Sequence, residues 1–289
     1  MARINKYTIK DLKAQFSTED VCLDFIFDAL HSRKCSCGGE YRRVKARKQY
    51  QCSKCRFQIA PTAGTIFHKS DTPLTGWFYA LFIFSNAKSG ISAKELERQI
   101  GVTYKCAWRM HKQIRSALGQ DKEKLTGDVE MDTGYFGGRF RAGTDNHRQS
   151  EAMAAKSVVM GAVSRGGKAK LKVVPNAGLP VIEAFLESHV SKDALLMTDN
   201  AATYKSSSKV YRHLKVNHSK KEYAWDRIHI NTIETFFAHL KRSIAGTHKT
   251  ISKEHLQSYL DAFVFHRNNS GNDSARFAVL LGAVLRGAR

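Results

Sequence analysis

The chain has 289 residues, with 47 Lys and Arg against 26 Asp and Glu, a formal net charge of +21 and 42% hydrophobic residues. That surplus of cations points to a polyanionic partner, nucleic acid ahead of an anionic membrane surface. The ordinary apolar share, with only 4 Pro and 20 Gly, excludes a disordered or fibrous chain, and the lack of a long apolar run or a signal-peptide core leaves no expectation of a membrane.

The length suits about two domains, each with its own core. Ser17 is placed to cap a helix over residues 18 to 31, in which Cys22, Phe25, Ile26 and Ala29 share one face. Cys22 then reads as a small core residue. Next come two cysteine pairs, Cys35-Ser-Cys37 and Cys52-Ser-Lys-Cys55, with fourteen residues between them. Two thiolate pairs brought together by a hairpin can close a tetrahedral shell around a structural Zn²⁺. The first pair is CxC, one residue short of the usual knuckle, so His31 or His68 stands as a substitute ligand. Free thiols are the competing reading. On the intervening hairpin, Arg42, Arg43, Lys45, Arg47 and Lys48 are expected either to meet DNA phosphates or to form a solvated ribbon.

The aromatic run from Pro73 to Phe84 reads as a buried helix. After it, Ser92 and Glu95 form a capping box and Gly101 ends a short helix. Thr103 caps the next helix, with Tyr104, Lys105, Arg109 and Lys112 facing outward and Cys106 inward beside Ala107, Met110 and Ile114. Two short helices joined through a glycine turn, the second with a basic face, read as helix-turn-helix-like, against a plain helical hairpin.

From about residue 126 strands alternate with helices, the pattern of an α/β domain. Strands are expected at 128–135, 156–164, 170–174 and 194–198, and a helix at 179–189. The last of these strands delivers Asp199-Asn200 to its carboxyl end, where open sheets place their sites. After a stretch rich in Lys, His and Ser, a helix starts near Asn231, and a further one follows a Ser252 cap through Leu256, Tyr259, Leu260 and Phe263. The helix from Asn231 commits Ile233, Phe236, Phe237, Leu240 and Ile244 to the core. Its Asn231, Glu234 and Lys241 form a separate polar stripe.

Asp132, Asp199 and Glu234, with 66 and then 34 residues between them and Lys241 seven positions on, resemble the DDE signature of retroviral-integrase-like transposases. The phrases Cys52-Ser-Lys-Cys-Arg-Phe57, Thr62-Ala-Gly-Thr-Ile-Phe67, Glu130-Met-Asp132 with Tyr135 and Gly137-Gly138, Thr198-Asp199, and His229-Ile-Asn-Thr-Ile-Glu-Thr-Phe-Phe237 with Leu240-Lys-Arg242 resemble insertion-sequence transposases that carry an N-terminal zinc ribbon. The likeness runs from about residue 30 to residue 270.

That resemblance implies an α/β fold with an RNase H-like catalytic domain at 123–289, preceded by a helix and zinc ribbon at 1–70 and a helix-turn-helix-like segment at 71–122. It implies two Mg²⁺ (or Mn²⁺) ions, with Asp132 bridging both, Asp199 on one and Asn231 or Glu234 on the other, and Lys241 and Arg242 against DNA phosphate. The implied partners are transposon terminal inverted repeats and target DNA, bound by a dimer or larger assembly in a bacterial or archaeal cytoplasm at the nucleoid. The competing readings are a non-catalytic DNA-binding regulator and an RNase H-like nuclease. Taken singly, Asp132 could end a strand, Asp199 cap a helix and Glu234 face solvent. Glu130, on the strand face of Asp132, is expected at the surface, with support of the metal ligands from behind as the alternative, and His229 in a capping or packing role or beside the metals.

Overall fold

The computed structural model describes residues 6–45, 47–137, 156–199, 204, 210–216, 228–271 and 273–286. The chain divides into two compact units, 1–119 together with 269–289, and 120–268. The final helix therefore groups with the first unit, although it lies in the segment that the sequence reads as one catalytic domain.

In the first unit, α1 (Ile9–Gln15) begins with a reciprocal capping box between Thr8 and Asp11. Helix α2 (Glu19–Leu30) is capped by Thr18 and not by Ser17, because Thr18 is the extended residue whose hydroxyl accepts the Val21 amide. The buried stripe is Cys22, Leu23, Ile26 and Phe27, while Phe25 is half-buried and Ala29, expected inside, is exposed. Burial pushes the Cys22 thiol up to about 12, in keeping with a packing role.

Strands β1 (Tyr41–Val44), β2 (Gln49–Cys52) and β3 (Gln58–Ile59) form a small antiparallel sheet. Tyr50 anchors it, its ring 4.0 Å from that of Phe27 and its hydroxyl donating to Asp24. Helix α3 (Leu74–Asn86) buries Leu74, Trp77, Phe78, Leu81 and Phe84. Pro73 has no side-chain acceptor to offer its first turn, and Glu19 supplies one from α2, taking the Leu74 amide at 2.6 Å.

Helices α4 (Ala93–Ile100) and α5 (Tyr104–Ser116) are capped by Ser92 and Thr103 and joined at Gly101, whose φ of 74° suits glycine. Only half of the expected capping box forms: Ser92 accepts the Glu95 amide, while the Glu95 carboxylate binds Arg98 and Gln99.

The second unit is a five-stranded mixed sheet of β4 (Asp128–Phe136), β5 (Ser157–Ser164), β6 (Ala169–Val174), β7 (Leu195–Asp199) and β8 (Arg212–Val216), in the order β6-β5-β4-β7-β8. The first three are antiparallel neighbours, and β4, β7 and β8 run parallel. This is the strand arrangement of an RNase H-like domain. Between β6 and β7, α6 (Leu179–His189) covers one face through Ile182, Phe185 and Leu186 against Val129, Met131, Met160 and Leu196. On the other face lie α7 (Asn231–Ser243), a π-helical turn at Ile244–His248, and α8 (Lys253–Asn268). Their Ile233, Phe236, Phe237, Leu240, Leu256 and Leu260 pack on Phe136, Val159, Val163, Leu171 and Met197. The three layers bury strongly apolar strands from both sides, as parallel pairing requires.

The chain closes with α9 (Asp273–Arg286) against α3 in the first unit, where Phe277 stacks on Tyr7 at 5.1 Å and buried Arg276 donates to Ser85 and Asn269 carbonyls. Among the described residues no helix is long and apolar enough to cross a membrane.

Strand β8 lies in the polar stretch where no strand is expected, and His213 is its buried polar contact, with Nε2 2.8 Å from Thr198 Oγ1. Burial, aided by the nearby Lys215 charge, pushes its imidazole down to about 4. A histidine depressed in the folded state favours folding above the unfolded pKa near 6.5, and that contribution disappears as pH falls toward 4. Urea midpoints measured from pH 7 to 4.5 should therefore fall more steeply for the wild type than for His213→Gln.

Candidate active site and metal centre

Strands β4 and β7 are parallel, with Glu130 opposite Met197. Two residues further along each strand, past the last paired positions of β4 and β7, stand Asp132, midway along β4, and Asp199, the last residue of β7. Asp132 is also in register with Gly161 of β5. Helix α7 passes unusually close to the strands because two of the positions beneath it carry no side chain. A Cβ on Gly161 would meet Phe237 at 2.8 Å and Ile233 at 3.1 Å, and one on Gly134 would meet Phe237 at 3.1 Å. With its apolar face thus committed, α7 leaves Asn231, Glu234, Lys241 and Arg242 exposed. The Lys241 ammonium lies 5.8 Å from the Phe136 ring centroid, on the side of β4 that carries Asp132.

The electrostatics join these groups. The Asp132 carboxyl is pushed above its ordinary range, first by burial and then by the Asp199 and Glu234 charges, while the Thr133 amide at 2.7 Å and Lys241 pull it down. Buried Tyr204, its hydroxyl 3.2 Å from Thr133 Oγ1, is likewise raised by burial, with smaller contributions from Asp199 and Asp132. The sequence offered no cue to Tyr204.

The acids form a looser set than the cysteines: among the described residues only the four thiols converge closely enough to be recognised as a ready-made metal cluster. The donors are hard oxygens, one of them destabilised by its neighbours, and a hard divalent cation fits such a set. Asn231 opens α7 one turn before Glu234 on the same polar stripe, so both remain within the candidate site.

Glu130 departs from expectation. Far from a surface residue, it is fully buried at 0% exposure. Its Oε2 accepts the Thr232 and Ile233 amides at 2.7 and 3.0 Å, and its Oε1 accepts Thr232 Oγ1 at 2.9 Å and Arg165 Nε at 2.6 Å. The alternation of β4 puts Glu130 on the inner face, and only these partners make burial of its charge tolerable. His229 Nδ1 is 3.2 Å from the same Oε1, and the His229 carbonyl accepts from Arg165 at 2.9 Å. A carboxylate two positions before Asp132 on the same strand face was the available clue.

In the ribbon, the sulfurs of Cys35, Cys37, Cys52 and Cys55 all lie within 4.8 Å of one another, with Cys35 to Cys55 at 3.7 Å and Cys37 to Cys52 at 3.4 Å. Zn–S bonds of about 2.3 Å in a tetrahedron put sulfurs about 3.8 Å apart, so the donor set fits zinc. The short CxC knuckle reaches because Gly38, at φ 80°, turns the chain and Gly39 passes close beneath Cys52, whose sulfur a Cβ there would meet at 2.6 Å. The Cys37 amide, then the Tyr41 hydroxyl, hold the Cys35 thiol down at about 6, favouring the thiolate that a metal needs. Neither histidine is required, and His68 instead accepts the Gly64 amide at 3.0 Å.

The ribbon's cations fall into two groups. Arg43 pairs with Asp20 at 2.9 Å and Lys48 with Glu19 at 2.7 Å, tying the sheet to α2. Arg42, Lys45 and Arg47 are exposed and make no ion pair among the described residues. On α5, Lys105 and Lys112 are exposed, whereas Arg109 is partly withdrawn, donating to Ser70 at 3.2 Å and lying over the Trp77 ring.

A family model described as an ISXO2-like transposase domain matches residues 124–268. The chain is similar to an uncharacterized protein in transposable element ISH50 of Halobacterium salinarum, 24% identical over 241 residues that cover 78% of this chain and 81% of that protein. It also matches a chain in the crystal structure of a pre-cleavage Mos1 transpososome at 11% identity and a TM-score of 0.27, covering 73% of this chain and 79% of that one. That last likeness is too distant to bear on the chemistry.

If the thiols hold zinc, purified protein should contain about one equivalent by atomic absorption. Cys52→Ser should lose it and lower the melting temperature of the first unit. Zinc-free protein that melts like the purified form would refute a structural metal.

Proposed function

We infer that this chain, which belongs to the ISXO2-like transposase family, is a DDE transposase that cuts DNA at the ends of an insertion sequence and joins the freed 3′-hydroxyl to a target strand. The observation that supports this most is that Asp132 on β4 lies near enough to Asp199 at the end of β7 and to Glu234 on α7 for both charges to raise its carboxyl.

In this reading Asp132, Asp199 and Glu234, with Asn231 beside it, hold two divalent cations. When bound, such a pair activates the attacking oxygen and stabilises the leaving one in an in-line displacement at phosphorus. The chain's own groups do the rest. Asp132 and Asp199 come from adjacent parallel strands, each two residues past the last paired positions, Glu130 and Met197. Glu234 comes from a helix whose apolar face packs closely on the glycine-bearing strands. Lys241 and Arg242, two turns on, are exposed to take a phosphate of the bound strand, Lys241 as a point charge.

Water as the attacking group yields a cut, and a 3′-hydroxyl yields a joined strand. The net charge of +21 supplies the long-range attraction for DNA. Arg42, Lys45 and Arg47 on the ribbon and Lys105 and Lys112 on α5 are the exposed cations proposed to hold it, with Arg43, Lys48 and Arg109 contributing less directly because they already have intramolecular partners. Bringing two element ends together calls for two or more copies of the chain.

The test is incubation with Mg²⁺ and labelled element-end DNA. Joined products are expected, whereas nicks alone would favour a nuclease and unaltered DNA a regulator. Asp132→Asn and Asp199→Asn should each lower joining on the order of a thousandfold, several kcal/mol at about 1.36 kcal/mol per decade, with DNA affinity retained. Lys241→Ala should weaken DNA binding and lower the salt slope by about one.

A further inference from the structure

Helix α7 has no side-chain cap of its own, since its N-cap residue is Ile230, which is buried and has no acceptor to offer. Its first-turn amides are nevertheless satisfied by Glu130, a residue about a hundred positions earlier, on the strand that also bears Asp132. The same carboxylate is held from behind by Arg165, which follows β5 and whose guanidinium also reaches Asp128 at 3.7 Å and the His229 carbonyl at 2.9 Å.

We propose that Glu130 is a positioning residue that sets where α7 presents Glu234 to Asp132, an inference that rests on the proposed two-cation reading of those acids. Two amides and one hydroxyl of the first turn converge on a single rigid carboxylate, so α7 can neither slide along its axis nor rotate about it without breaking them. Glu234 lies one residue beyond Ile233 in the same turn, and its own amide donates to the Ile230 carbonyl at 3.1 Å. On the strand, Glu130 is two residues from Asp132 on the same face. The two acids are thus linked through a short, hydrogen-bonded path. A negative group at the helix N-terminus also meets the positive end of the helix dipole, which strengthens the tie. Without this link, the first turn of α7 would keep its apolar contacts but lose its direct hydrogen bonds to the strand that bears Asp132.

A merely structural role would lower the melting temperature and leave cation binding by the folded protein unchanged. The experiment is therefore a Mn²⁺ titration of the full zinc-loaded chain without DNA, followed by electron paramagnetic resonance, for wild type, Glu130→Gln, Arg165→Lys, Asp132→Asn and Glu19→Gln. Folded Glu130→Gln should bind Mn²⁺ about 10- to 100-fold more weakly, the range for losing a group that orients a metal ligand. Its joining activity should recover in part as Mn²⁺ is raised. Glu19→Gln, which removes the comparable cap of α3 in the other unit, should lose stability with Mn²⁺ affinity unchanged. Wild-type Mn²⁺ affinity in folded Glu130→Gln overturns the proposal. Should that variant fail to fold, Arg165→Lys decides in the same way, a weakened affinity supporting the proposal and an unchanged one overturning it. If instead Asp132→Asn binds Mn²⁺ as the wild type does, it is the two-cation reading that fails, and the proposal falls with it.

Discussion

The second unit depends on one docking event, the seating of α7 against β4 and β5. A helix packed on a sheet ordinarily stands off by the depth of the side chains beneath it. Here Gly134 and Gly161 remove that depth under Phe237, and the helix comes down onto the strand that carries Asp132. Apolar contact alone resists sliding poorly, because neighbouring registers of a smooth interface differ little in area. Glu130 adds direction: a carboxylate that is bonded to particular amides tolerates no neighbouring register. Its burial is possible only because Arg165 and Thr232 complete its shell, and breaking such a set leaves an uncompensated charge inside the protein, at about 3–5 kcal/mol.

The same device appears twice in this chain, with different consequences. Glu19 closes the first turn of α3, where Pro73 cannot, and Glu130 closes that of α7, where Ile230 cannot. In the first case the result is a tighter helical core. In the second it is a helix whose polar stripe sits beside two acids from the sheet. What separates the cases is the neighbourhood, since the strand that supplies Glu130 supplies Asp132 as well.

The small sheet of the first unit has few apolar residues beside four cysteines whose sulfurs fit a zinc site. Tyr50 and Cys52 are its fully buried members, and Tyr50 leans on Phe27 of α2. A zinc ion held by the four cysteines would cross-link three short strands that cannot build a core of their own. Ion pairs from Arg43 and Lys48 to α2 use two of the hairpin's cations internally and leave Arg42, Lys45 and Arg47 facing solvent. Of these cations only Arg42 and Arg43 lie in a strand, and Lys45, Arg47 and Lys48 fall in the turn between β1 and β2.

Local periodicity by itself determined much of this protein. The helix at 179–189 and the strand at 128–136 follow from spacings of 3.6 and 2, with the strand end off by one residue, and Ser92, Gly101 and Thr103 mark helix boundaries by chemistry confined to one turn. The ordered phrases around Asp132, Asp199 and Glu234 were legible for the same reason, each belonging to a single element whose type the pattern reveals. Only the tertiary structure decided the rest. Strand β8 is polar enough to pass for a loop and is a strand because β7 offers it a ladder. The last helix joins the first unit because its apolar face finds α3 there. The CxC knuckle closes because two glycines let the backbone pass under a sulfur. Glu130 reads as a surface acid until the fold brings to it an arginine from the end of the neighbouring strand and a helix terminus from a hundred residues away. A hydrogen bond between distant segments leaves no periodic trace in either of them, so pairings of this kind appear only once the chain is folded.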